Sequence, residues 1–174
     1  MDLLHELHPQ ALRIAELLRE RGEKIAIADG ATGGLLAATM LTVPGALDFF
    51  VGGGVVYSLR ARDVLFDQPC EAYKGMRGAS EEYALLQARS IRDNFHADWG
   101  LAESGSVGAS KHPSGTPAGT SCAALATPSG EHTRILETGS DDRIANMAAF
   151  TRNALNLLEE TLNADVLMKD TSDK

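Results

Sequence analysis

Two short segments hold the residues whose types and spacing suit chemistry. The first is Ala28-Asp29-Gly30-Ala31-Thr32-Gly33-Gly34, and the second is Glu103-Ser104-Gly105-Ser106-Val107-Gly108. Each ends a short apolar run, and the first leads into a helical pattern. A strand, a small-residue turn and a helix N-terminus together present backbone N–H groups that suit an anion. In α/β sheets ligands collect beyond the carboxyl ends of the strands, where such corners lie. Glycines also serve simply to relieve backbone strain, and composition alone leaves both readings open. Neither segment carries the G-x-x-x-x-G-K-[ST] or G-x-G-x-x-G phosphate signature.

Reactive side chains near these corners each have a plainer role as well. Ser58 reads as a helix N-cap, and Thr32 and Ser104 as loop hydrogen-bonders. His112 sits in a polar loop, where an imidazole titrates near neutrality and is ordinarily just solvated. Asp29 can position a water, but a lone carboxylate hydrolyses amides poorly. Arg62 keeps its proton at any working pH, so it suits holding an anion rather than acting as a base.

The elements that must position these residues follow from periodicity. An amphipathic helix opens the chain, with Leu12, Ile14, Leu17 and Leu18 on its apolar stripe and Gly22 as its stop. The run 24–28 reads as a buried strand, and a helix spans Leu35 to about Leu41. Residues 49–57 read as a strand weakened at Gly52, Gly53 and Gly54. Ser58 caps a short helix through Leu65, and Ser80 caps a longer one through Phe95. Residues 99–102 form another strand, with the second corner after it as a loop. Residues 121–127 and 132–137 form a hairpin about Pro128-Ser129-Gly130. A last helix spans about Asp141 to Leu162, its stripe including Ile144, Met147, Ala148, Leu155 and Leu158. This order predicts an α/β fold, a three-layer α/β/α single domain with a mixed sheet over 1–165. Residues 166–174 are predicted as a polar, flexible tail.

The net charge of −8 argues against a nucleic-acid partner. Cys70 and Cys122 have no C-x-x-C pairing, so the expectation is no structural zinc and no other metal. No apolar run is long enough to span a bilayer, and the acidic N-terminus is not that of a signal peptide, so the expected location is cytoplasmic.

Six ordered blocks resemble the CinA C-terminal family, the competence/damage-inducible proteins that include nicotinamide-nucleotide amidases. Residues 28–37 resemble A-E-S-C-T-G-G-x-[LV]-A, and 41–46 resemble L-T-x-x-P/A-G-S. Residues 54–62 are similar to G-x-V-x-Y-S-N-x-A-K, and 79–81 to V-S-E. Residues 104–109 resemble [ST]-G-I-A-G-P, and 117–120 resemble P-V-G-T. The resemblance covers about residues 10–162. It implies a CinA C-terminal-like fold, self-association as a homodimer, no cofactor and no metal. It also implies hydrolysis of the carboxamide of nicotinamide mononucleotide by a serine nucleophile and a lysine base. Such a pair works because a desolvated lysine can take the serine proton, while small-residue loops offer donors to the oxyanion.

The departures fall on the chemistry. Gly30 stands at the serine position and Arg62 at the lysine position; neither can do its predecessor's work. Asp29 replaces the glutamate, Ala31 the cysteine and Leu59 the asparagine. Arginines near the start of the family's last helix fall at Asp141 and Ala145, which predicts a lost phosphate contact. The first expectation is therefore a degenerate amidase with no catalytic residue, acting as a binding, regulatory or partner protein. Its nucleotide-like ligand would meet Asp29, Gly30, Thr32, Gly33, Gly34, Tyr57, Ser58, Arg62, Ser104, Gly105, Gly108 and Thr120. The alternative is an active amidohydrolase on nicotinamide mononucleotide or a related amide, using different groups. A third reading is a structural subunit that pairs with itself or with an active relative.

Overall fold

Strand β1 (Ile25–Asp29) is the apolar run after the first helix, and every residue in it is buried. It pairs in parallel with β2 (Phe50–Val55) on one side and β3 (Trp99–Ser106) on the other. The hairpin adds β4 (Thr120–Ala126) and β5 (Glu131–Glu137), both antiparallel, giving a five-stranded mixed sheet of order β2-β1-β3-β4-β5. The computed structural model describes the backbone of residues 2–110 and 112–172, with side chains up to 164.

The two faces of the sheet are built differently. Ile25, Ile27, Trp99, Leu101, Ala123 and Leu125 point to one face, where they meet α1 (Leu3–Arg21), α2 (Leu35–Leu41) and α5 (Arg143–Ser172). Burying each large side chain here contributes about 1.5–3 kcal/mol. The other face carries Ala26, Ala28, Ala102, Ala124 and Ala126. Small residues let α4 (Glu81–Asn94) lie close to the strands, while α3 (Leu59–Phe66) packs beside it. A methyl group on Gly100 would come within 2.0 Å of the Ala88 carbonyl oxygen. The result is the predicted α/β/α layering.

The predicted punctuation holds. Gly22 ends α1 in the left-handed conformation, φ 65°. Ser58 and Ser80 accept backbone N–H bonds from Ala61 and Tyr83 as N-caps. Four details differ from the sequence expectation. Leu12 is 43% exposed and Ile144 is 80% exposed, because the buried stripes run instead through Leu7, Ala11, Ile14 and Leu18, and through Phe150, Ala154, Leu155 and Leu158. Residues 103–106 are strand rather than loop, since β4 supplies partners for them from Ala123 to Thr120. Pairing overrides the loop-like composition. Helix α5 continues past Leu162 to Ser172, so the tail expected from 166 is helical that far, and residues 173–174 lie outside the described residues. Cys70 is exposed, Cys122 is buried, and both are free thiols. Among the described residues no helix is long and apolar enough to cross a membrane.

Candidate functional site

A cleft of about 680 Å³ opens where β1, β2 and β3 end. Gly30 and Ala31 form its floor, with Val56 and Tyr57 beyond β2 and Ser104 to Gly108 along the end of β3. Its volume suits a small molecule. Two carboxyl groups lie behind the floor, and they decide what the first corner can do.

Asp29 is fully buried and works for the fold. Its Oδ1 accepts from Thr32 Oγ1 at 2.7 Å and from the Leu36 N–H at 3.0 Å, and its Oδ2 accepts from the Ala37 N–H at 3.2 Å. It therefore ties the corner to the first turn of α2. Glu103 is equally buried. Its Oε2 accepts from the Thr32 N–H at 3.0 Å and its Oε1 from Ser121 Oγ at 2.6 Å. The Ala31 N–H also donates to it. Burial pushes the Glu103 carboxyl up to about 7, with bonds from Ser121 and Thr32 pulling the other way. Burial raises Asp29 as well, against the bonds from Thr32, Leu36 and Ala37. In the first corner the N–H groups of Thr32, Leu36 and Ala37 are thus taken by the chain's own carboxyls, and those of Gly33 and Leu35 by the carbonyls of Gly30 and Thr32.

Gly30 has a steric reason of its own. A methyl group at this position would lie 2.2 Å from the Glu103 carbonyl oxygen and 3.3 Å from Glu103 Oε2. No side chain fits there unless the turn and β3 separate.

Ser58 starts α3 at the rim of the cleft and so orients Arg62 one turn later. The Arg62 guanidinium lies 3.9 Å from the centre of the Tyr73 ring. Asp63 Oδ1 accepts from Arg62 Nε at 3.1 Å and from Nη2 at 2.8 Å. Burial works against the Arg62 charge, and Asp63 together with Tyr83 and Tyr73 more than offsets it, so its pKa is raised. The side chain is a fixed cation, 10% exposed, on the cleft wall.

A second cation enters from the other layer. Arg143 begins α5, and its guanidinium lies 3.3 to 3.6 Å from where a Cβ on Gly108 would stand. Asn146, a turn later, donates to the carbonyls of Val107 and Ser140, both at 2.8 Å, and accepts from Thr138 Oγ1 at 2.6 Å. That buried amide fastens the end of β3 to the start of α5.

The polar loop closes one side. Ser114 Oγ lies 2.5 Å from His112 Nδ1, and the Ser114 N–H donates to the same nitrogen at 3.2 Å. Those bonds assign Nδ1 as the acceptor, with the proton on Nε2. Burial lowers the His112 pKa, so the ring is neutral at neutral pH. Thr116 Oγ1 meets Ser114 Oγ at 2.7 Å and donates to the Gly78 carbonyl at 3.1 Å.

Of the residues the sequence singles out, Gly30, Gly33, Tyr57, Ser58, Arg62, Ser104, Gly105, Gly108 and His112 line the cleft. Ser104 Oγ also accepts the Ala79 N–H at 3.1 Å, as a loop hydrogen-bonder does. Asp29, Thr32, Gly34 and Thr120 do not line it. The first two are consumed in the corner, Gly34 caps α2, and Thr120 is buried in β4 opposite Ser106. Asp141 and Ala145 do not line it either, but Arg143 between them does, so the last helix still supplies a cation. Sequence reasoning missed Arg143, Ser114 and the load carried by Glu103. A Glu ending an apolar run was the one legible hint, and for the other two no local signal exists. Among the described residues no group of His, Cys, Asp or Glu is arranged to hold a metal ion.

The CinA C-terminal domain matches residues 7–162. A CinA-like protein of Myxococcus xanthus is 34% identical over 154 residues, covering 87% of this chain and 36% of the relative. One from Synechocystis is 34% identical over 130 residues, covering 75% of this chain and 31% of the relative. The chain therefore spans about a third of the length of these curated relatives. Among solved structures, a CinA superfamily protein of Klebsiella pneumoniae superposes with a TM-score of 0.83 at 27% identity, covering 94% of this chain and 99% of that one. One from Enterobacter cloacae superposes with a TM-score of 0.82 at 27% identity, covering 90% and 92%. The corner at the end of β1, the five-stranded mixed sheet and these matches agree, and the chain belongs to the CinA C-terminal domain family.

Proposed function

We propose that this chain is a CinA-type binding domain that has left the family's amidase chemistry and holds a small anionic, nucleotide-like ligand in a regulatory or partner role. One observation carries the reading. Arg62 and Arg143 both line the cleft, and no Asp or Glu does so among the described residues. On a chain of net charge −8 that is a marked local reversal of sign. The vacancy at the nucleophile position supports the second half, because Gly30 has neither a hydroxyl nor space for one. The donors of the adjacent turn are also engaged by Glu103. Self-association as a homodimer belongs to the same proposal, and light scattering over a range of concentrations checks it.

Two assays test the reading together. Calorimetry with nicotinamide mononucleotide and adenosine monophosphate should show binding that weakens with salt. An ammonia-release assay on nicotinamide mononucleotide should show none. Release proportional to protein concentration, and lost in an Arg62→Ala variant, would overturn the proposal.

A second reading rests on the Ser114–His112 contact. In it, Ser114 Oγ attacks an acyl carbonyl, its proton passes to His112 Nδ1, the leaving group departs protonated, and water later frees the acyl group. A fluorophosphonate probe should then label Ser114 in the parent and not in His112→Ala. An unlabelled parent protein ends this reading.

A further inference from the structure

We infer that anion binding in the cleft is coupled to the proton on Glu103, so that an anion binds tightly while this carboxyl is protonated and more weakly once it ionises. The inference rests on the proposal that the cleft binds an anion, and it adds a control on that site.

The coupling follows from where the carboxyl lies. Glu103 does not line the cleft, but it stands directly beneath the floor. Its Oε2 is 3.3 Å from where a Cβ on Gly30 would be, and its Oε1 is 2.7 Å from where one on Gly105 would be. Both glycines line the cleft, and neither puts a side chain between the carboxyl and a ligand. A ligand atom touching the Cα of Gly30 is therefore within about 9 Å of Glu103. Over that distance, at an effective dielectric of about 20, two unit charges change each other's equilibrium by about tenfold.

The surroundings of Glu103 do little to screen that repulsion. From the turn it meets the N–H groups of Ala31 and Thr32, and from β4 the Ser121 hydroxyl, all of them neutral. Helix α2 carries no titratable side chain, and α5 brings Phe150 against Gly105. Asp29 on β1 is a like charge, and it raises the Glu103 pKa further. Cys122 on β4 is pushed up to about 12 by burial and stays a neutral thiol. Arg62 and Arg143 line the cleft and do not bond to Glu103. His112, also in the cleft, is neutral above pH 7 because burial lowers its pKa. Burial holds Glu103 at about 7, so the floor of the empty cleft changes charge near neutrality. An anion above it favours the protonated form. Binding therefore takes up a proton, and affinity falls as pH rises above about 7.

Adenosine monophosphate is a suitable probe, because its phosphate, with a second pKa of about 6, stays a dianion across the range used. In calorimetry on the full chain, its affinity should fall about fivefold from about pH 7 to about pH 9. Near pH 7.5 each binding event should take up about half a proton, read from the heats in two buffers of different ionisation enthalpy. In Glu103→Gln the affinity should change by less than about twofold over the same range. Asp29 is present in both proteins, so its share cancels in the comparison. Ser121→Ala removes a donor to the ionised carboxylate, and it should move the midpoint of the pH profile upward. That smaller change keeps the test decisive even if Glu103→Gln folds poorly, and circular dichroism checks the fold of each variant. A flat parent profile, an equal slope in Glu103→Gln or a midpoint unmoved by Ser121→Ala would overturn the coupling while the anion-binding proposal stands. Absence of binding at every pH would overturn both.

Discussion

The Thr32 N–H donates to the Glu103 carboxyl over 3.0 Å, joining the turn after β1 to the middle of β3. Thr32 gives its hydroxyl to Asp29 at the same time. One small residue thus divides its two donors between two buried acids. Burial raises the pKa of both.

The first prediction concerns pH. The Glu103 carboxyl is raised to about 7 in the fold, against 4.5 for an ordinary glutamate. The folded chain therefore holds a proton that the unfolded chain releases, and stability falls as pH rises from about 4.5 to about 7. The stability lost by neutral pH is on the order of 3 kcal/mol. In Glu103→Gln the amide oxygen can still accept from Thr32, while its N–H₂ faces Ser121 Oγ, whose hydroxyl can turn from donating to accepting. Urea melts from pH 4 to 8 should show the variant gaining on the parent as pH rises. Parallel curves for the two proteins would refute this.

Gly30→Ser should not confer amidase activity. The new Cβ meets the Glu103 carbonyl at 2.2 Å, so the turn must move. The expected cost is about 1–3 kcal/mol. Adding Arg62→Lys should still give no ammonia from nicotinamide mononucleotide. Thermal melts and the coupled assay check both halves.

Asp29→Ala should destabilise without touching the cleft wall. It removes the acceptor for Thr32 Oγ1, Leu36 N–H and Ala37 N–H. Stranding buried donors costs about 1–3 kcal/mol, and equilibrium unfolding reads the loss. A change within 0.5 kcal/mol would contradict the structural role given to this carboxyl.

Asn146→Ala should weaken ligand binding although Asn146 does not line the cleft. Its amide donates to the Val107 and Ser140 carbonyls, next to Gly108 and Arg143. The variant should lose about 1–3 kcal/mol of stability. It should also weaken both mononucleotides alike, leaving their ratio as in the parent. Calorimetry separates this positioning role from a direct contact.

The layering, the hairpin and the three caps at Gly22, Ser58 and Ser80 were legible because each rests on a local pattern. Residues 103–106 were read as a loop because glycine and serine have low strand preference, and only β4 reveals the pairing. Gly30 was readable as a missing hydroxyl. That it also lies against the Glu103 main chain depends on a contact across 73 positions of chain, counting from 30 to 103, which no local pattern encodes. Arg143 was hidden for a different reason. Its neighbours Asp141 and Ala145 occupy the aligned positions, and helical phase alone brings residue 143 to face the cleft.

The contact between Gly30 and Glu103 makes the two positions one inherited unit. While β3 keeps its present place, any side chain at 30 must displace the Glu103 main chain or be displaced by it. A change at either position is therefore felt at the other, and substitutions at the two should combine non-additively.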